Sequence, residues 1–226
     1  YNDQLVVESK GIYSIEKFLI ARRLMYWQVY LHKTALVAEK MLTNIFRRAR
    51  QVVQSGQATQ LSSHLEFFLK NTPTLEDFHH HPEVLTNFAY LDDNDIMSAL
   101  KIWSISSDKV LSTLAGGLLR RNLLAIEIQD KPFDPIKVKA LTRHVKSELN
   151  LDQDEEAGFF VFTGTISNNA YSVQDDHINI LCRDQVIKDI SEASDMLDLS
   201  VLSKIVKKEI LCYPKSLRQN PLINRT

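Results

Sequence analysis

The chain has 226 residues, 44% of them apolar and 24% charged, with 27 basic against 28 acidic side chains and a formal net charge of −1. These figures are those of an ordinary soluble globular chain, and a core of this size requires neither disulfides nor a structural metal. They also exclude a global field for nucleic acid or an anionic membrane, so any anion site has to be local.

No run approaches the roughly 18 apolar residues of a membrane helix. Residues 1–10 contain neither a signal-peptide core nor an initiating Met. The expectation is a cytoplasmic protein whose chain here begins inside a longer one. The two cysteines, Cys182 and Cys212, lie far apart in apolar runs that read as strands, which predicts two buried thiols.

Ser14 is a candidate N-cap, and residues 15–54 contain no Pro or Gly, which predicts one helix of roughly ten turns. At about 100° per residue, Ile20, Leu24, Trp27, Leu31, Leu42 and Ile45 gather into an apolar stripe expected to be core. The opposite face carries Arg22, Tyr26, Tyr30, Lys33, Lys40 and Arg47, with Val29, Leu36 and Val37 among them. After a break at 55–60, shorter helices are expected at 61–70, 75–79, 83–90, 94–104 and 109–120. Thr74, Asp92 or Asp93, and Asp108 read as their caps.

Beyond Arg121 the period changes. Strands are expected at 123–129, 158–167, 177–183 and 204–213, with helices at 135–149 and 184–194, a connection at 168–176, and an irregular stretch at 195–202. The fold class is therefore mainly α with a C-terminal α+β region, the latter in the β-α-β-β-α-β order of a ferredoxin-like unit. The organisation expected is a helical segment at 1–121, an α+β domain at 122–214 and a polar, frayed tail at 215–226.

Most eye-catching motifs have ordinary readings. His79, His80 and His81 end at Pro82, and three adjacent residues do not point at one centre, so a polar loop is expected rather than a metal site. Asp92, Asp93 and Asp95 lack the Gly and Glu of a calcium loop and read as helix caps. Gly116 and Gly117 lack phosphate-loop spacing and read as helix packing or a helix end. There is no GxSxG and no Cys in a polar setting, so no nucleophile is assigned. The run Gly158-Phe159-Phe160-Val161-Phe162 has aromatics without adjacent Lys or Arg, which argues against an RNA-reading sheet.

The long helix is different. Arg22 forks onto phosphate oxygens, Tyr26 and Tyr30 offer flat faces with hydroxyl tips one and two turns on, and Lys33 adds a point charge. One face thus matches a nucleoside triphosphate. The same spacing also fits an ordinary amphipathic helix with solvated basic residues.

The run Arg22-Arg23-Leu24-Met25-Tyr26-Trp27-Gln28-Val29-Tyr30-Leu31-His32-Lys33, within residues 14–33, resembles the long helix that follows the catalytic core in HD-domain phosphohydrolases of the dNTP triphosphohydrolase branch. Arg121-Asn122-Leu123 and His177-Ile178-Asn179-Ile180-Leu181-Cys182-Arg183 follow the same family's C-terminal order. The resemblance implies that Arg22 contacts triphosphate and that Tyr26, Tyr30, His32 and Lys33 line the nucleotide pocket; many relatives carry His at the position of Tyr26. It also implies an activator-nucleotide site between subunits at Lys10, Arg121 and Arg183, although Glu8 and Ala125 stand where relatives can have Arg and Lys. The family's H…HD…D metal set is missing, and no His-Asp dipeptide occurs. The implied divalent metal would therefore be held by residues outside this chain, which has no catalytic residue and no metal ligand of its own.

Two classes of function follow. In the first, the chain is the C-terminal part of a metal-dependent phosphohydrolase, a homo-oligomer acting on a dNTP or another phosphoester. In the second, it is a non-catalytic nucleotide-binding or assembly module.

Overall fold

The computed structural model describes residues 1, 3–56, 60–168, 177–195 and 206–219. The fold class expected from the sequence holds: a long series of helices precedes a smaller region of strands and helices. The chain condenses into two compact units that interleave along the sequence. One comprises residues 1–35, 128–132 and 164–210, the other 36–127, 133–163 and 211–226. The expected division at 121/122 marks where helices give way to strands, whereas the compact units are drawn differently.

The first unit opens with strand β1 (Val7–Glu8), a 3-10 turn and helix α1 (Ile12–Met25). Gly11, not Ser14, precedes the helix. The expected single helix is interrupted: Tyr26–Tyr30 forms a π-turn in which the Leu31 N–H donates to the Tyr26 carbonyl at 2.7 Å, and helix α2 (Lys33–Gln54) begins after His32. No Pro or Gly causes the break. Aromatic and β-branched residues at Tyr26, Trp27, Val29 and Tyr30 are mediocre helix formers, and a π-turn takes up one extra residue, which shifts the helical phase.

Helix α1 buries Glu16 and Leu19, flanked by half-buried Ile12 and Ile15. Of the stripe expected to be core, Ile45 is fully buried and Trp27, Leu31 and Leu42 are half-buried, whereas Ile20 and Leu24 on α1 are exposed. The reason is the size of what α1 packs against. Leu19, Ile180 and Ile190 form a small cluster bordered by Val7, Ile178, Cys182 and Ala193, enough to cover one face only.

That cluster sits on a sheet of order β1-β4-β5, with β4 at Asn179–Leu181 and β5 at Ile187–Asp189. Here two expectations are corrected. The segment 184–194 is only partly helical: Gln185 in the left-handed region (φ 65°) turns the chain, the Cys182 N–H donates to the Val186 carbonyl at 2.9 Å, and β5 pairs antiparallel with β4 before helix α10 (Ile190–Ala193), capped by Asp189. The four expected strands also do not share one ferredoxin-like sheet. β4 pairs in parallel with β1, Val7 opposite Ile180 and Glu8 opposite Leu181. The other three, β2 (Ala125–Gln129), β3 (Phe162–Asn168) and β6 (Val206–Tyr213), form a second sheet of order β2-β6-β3.

In the second unit, α2 presents Leu36, Val37, Met41, Ile45, Ala49 and Val52 to the core at helical spacing. Around it lie α3 (Ser63–Lys70), α4 (Leu75–His80), α5 (Pro82–Ala89), α6 (Asp93–Trp103), α7 (Lys109–Leu119), α8 (Pro135–Glu148) and α9 (Asp154–Ala157). The caps are as expected: Thr74 and Asp92 form capping boxes with Asp77 and Asp95, and the Asp108 carboxylate accepts from the Leu111 N–H. The strand expected from 158 begins only at Phe162. Before it, Phe159, Phe160 and Val161 form a tight buried turn after α9, and Asn44 Nδ2 donates to the Phe159 carbonyl at 3.0 Å.

The expected tail is ordered at its start, where Lys215–Gln219 makes a 3-10 turn and Leu217 is buried. Residues 169–176, 196–205 and 220–226, on which parts of the expected connection, irregular stretch and tail fall, lie outside the described residues. Among the described residues, no helix is long and apolar enough to cross a membrane.

Candidate functional site

The face expected to meet phosphate is assembled by helical spacing at the end of α1. Arg22 and Tyr26 are one turn apart, and the Arg22 guanidinium carbon stands 5.8 Å from the Tyr26 ring centroid, within the range of a cation–π contact. Tyr26 and Tyr30 follow at a ring separation of 5.0 Å and an angle of 51°. Arg22 and Tyr30 are exposed and Tyr26 is half-buried. The fold therefore brings Arg22, Tyr26 and Tyr30 into one contiguous strip, with no ion pair to Arg22 among the described residues.

His32 and Lys33 fall after the π-turn and are placed differently. The His32 Nδ1 accepts the Thr34 N–H at 3.3 Å, so the ring caps α2. Lys33 is the first residue of α2, whose opening turn has no acidic side chain. A cation and unpaired N–H groups at a helix start favour an anion. Both side chains are exposed.

The expected activator residues are less uniformly placed. Lys10 and Arg183 each lie two residues beyond a registered position of the parallel β1–β4 pair, Glu8 and Leu181 respectively, and so at the same end of that pair. Lys10 is engaged by Glu8 at 2.5 Å, and that hydrogen bond raises its pKa above the ordinary lysine value. Arg183 is exposed in the β4–β5 turn. Arg121 belongs to the other unit, has φ 57°, and lines a largely apolar cavity of about 520 Å³ with Asp93, Met97 and Leu118.

Both cysteines are free thiols. Cys212 is fully buried, and burial pushes its thiol up to about 12, with Lys40 opposing weakly. Cys182 is half-buried and unoxidised. Among the described residues no group of three or more His, Cys, Asp and Glu side chains fits a metal ion.

One buried acid escaped the sequence reading. Glu16 is 3% exposed and accepts a hydrogen bond from the Ser194 hydroxyl. Its only signal was its position three residues before Leu19 on the face that packs.

Comparison with known proteins bears on this strip directly. Residues 1–65 match the HD-associated region family, and they include every residue of the strip. Over 94% of its length the chain is 49% identical to a phosphohydrolase from Bacteroides thetaiotaomicron, with a TM-score of 0.84, covering 53% of that protein. It is 25% identical over 223 residues to the uncharacterized protein YwfO of Bacillus subtilis (strain 168), covering 95% of this chain and 48% of YwfO. A hypothetical protein from Aquifex aeolicus shares the fold at 20% identity and a TM-score of 0.51. The chain thus spans about half the length of the relatives it matches, and it is similar to a phosphohydrolase over nearly all of its own.

Proposed function

We propose that this chain is the C-terminal portion of a metal-dependent HD-type phosphohydrolase that splits a dNTP into deoxynucleoside and triphosphate. It supplies the phosphate-contacting wall of the active site and contacts between subunits. The carrying observation is the strip of Arg22, Tyr26 and Tyr30, with its guanidinium stacked on one tyrosine, unpaired among the described residues and open to solvent. The 49% identity to a phosphohydrolase supports hydrolysis of a phosphoester. The choice of dNTP rests on the resemblance of residues 14–33.

In this reading Arg22 forks onto triphosphate oxygens, Lys33 and the N–H groups opening α2 add positive potential, and Tyr26 and Tyr30 border the nucleoside. His32 holds the turn that carries Lys33. The metal ligands belong to the part of the protein outside these residues.

The test is a panel of dNTPs, NTPs and cyclic nucleotides with the longer protein and its Arg22→Ala variant. Selective release of triphosphate from dNTPs, reduced at least about ten-fold in kcat/KM by the loss of a charge-assisted bidentate contact, is the expected result. Turnover of other phosphoesters in place of dNTPs overturns the substrate, and unchanged kinetics in the variant removes Arg22 from the site.

A second reading, an assembly module without catalysis, is favoured by one feature. Phe18, Ile20, Leu24, Met25 and Val29 all stand exposed on α1 and the π-turn, more apolar surface than scattered single residues would give.

A further inference from the structure

Helix α7 ends in a Schellman cap, in which the Arg121 N–H donates to the Leu118 carbonyl at 3.1 Å. Arg121 occupies the left-handed region, which favours glycine, and the turn is closed by the Asn122 N–H donating to the Gly117 carbonyl at 2.8 Å. Its preceding residue, Arg120, folds back along the helix: a Cβ built on Gly116 would lie 2.6 Å from a guanidinium nitrogen. Glycine at 116 is what lets the guanidinium lie there.

Folded back in this way, Arg120 lines a cavity of about 450 Å³ within the second unit, together with Thr113, Asn122, Leu124, Glu148 and Lys215. That volume suits a small ligand. Among the described residues, the side chains of Arg120, Thr113, Asn122 and Lys215 have no hydrogen-bond partner. Among the described residues, the buried Leu124 N–H donates to the Met41 sulfur alone, at 3.4 Å, and a thioether is a weak acceptor. The cavity is thus lined by two exposed cations, Arg120 and Lys215, and by the exposed Thr113 and Asn122 side chains. Its one carboxylate, Glu148, accepts from the Ser216 hydroxyl at 3.3 Å.

We propose that this cavity binds a small phosphomonoester. Arg120 and Lys215 take the phosphate dianion, and a hydroxyl elsewhere on the same molecule donates to Glu148. A carboxylate offers two oxygens to this donor set, whereas a phosphate offers three and accepts the guanidinium in bidentate fashion. The carboxylate of Glu148 disfavours a polyphosphate, which would bring further negative charge against it. The proposal does not depend on the phosphohydrolase reading, and failure of either leaves the other standing.

The test is a titration of residues 1–226 with ribose 5-phosphate, followed by ¹H–¹⁵N NMR at the Leu124 amide and the Arg120 Nε, with ribose as the neutral control. Saturable movement of both signals is expected with ribose 5-phosphate and not with ribose. Arg120→Ala, at an exposed position, should raise the apparent Kd about ten-fold or more. Gly116→Ala, which displaces the guanidinium, should weaken binding while leaving the circular dichroism spectrum unchanged. Absence of saturable shifts, an equal response to ribose, or equal affinity in the wild type and Arg120→Ala overturns the proposal.

Discussion

Asp92 shows how much a single side chain settles here. Its carboxylate accepts the N–H groups of Asn94 and Asp95 at 2.7 and 3.3 Å, while Asp95 reaches back to the Asp92 N–H at 3.0 Å. Asp92→Ala should lower stability by about 1 kcal/mol, read as a drop in thermal midpoint; an unchanged midpoint would show that α6 is held by packing alone. Arg48 has a larger task. It donates to Asp108 at 2.7 Å and to Glu156 at 3.0 Å, with all three side chains largely buried. Arg48→Met leaves two carboxylates facing each other, and a loss of about 2 kcal/mol is expected in chemical denaturation. Full recovery on adding Asp108→Asn and Glu156→Gln would confirm that the cost lies in the orphaned charges. Both caps were readable as Asp before a helical run, whereas the partners of Arg48 lie 60 and 108 residues away and no local pattern announces them.

At the scale of elements, β2, α8 and β6 are tied by a small polar network. Burial pushes the Glu127 carboxyl up, but the Tyr213 hydroxyl at 2.6 Å and the Lys137 ammonium at 2.9 Å together outweigh it, and the net shift is downward. A carboxyl lowered in the folded state contributes stability that is present above its ordinary value of 4.5 and lost as pH falls through the folded value. Tyr213→Phe removes one stabilising bond, so the variant should lose less stability than the wild type as the pH falls below the ordinary value of 4.5. Equal pH profiles would exclude Glu127 from acid unfolding. The elements themselves were legible where periodicity is long: α3 to α8 lie within a few residues of expectation. They were not legible where tertiary pairing decides. β1 is two residues long and exists through its pairing with β4, and 184–194 reads as a helix until Gln185 turns it into a hairpin. The π-turn at Tyr26–Tyr30 is invisible to a constant 100° step.

For the whole molecule, the expected site was legible in part. Helical spacing alone brought Arg22, Tyr26 and Tyr30 together, while the break at Leu31 and His32 set Lys33 apart, at the head of a new helix. The stripe of Ile20 and Leu24 read as core because hydrophobicity marks what is to be covered and not by what. Its exposure fits the proposed subunit contacts or the remainder of a longer protein. Light scattering on residues 1–226 over a range of concentrations should show association through this face, reduced in Leu24→Glu; a strict monomer at every concentration would exclude an assembly role for the isolated chain. The central claim, that the Arg22 face contacts the triphosphate of a nucleotide, is tested most directly by triphosphate release from dNTPs in the longer protein, comparing wild type with Arg22→Ala. A fall in kcat/KM of at least about ten-fold with the fold intact is the predicted result. Identical kinetics in the two proteins would contradict it.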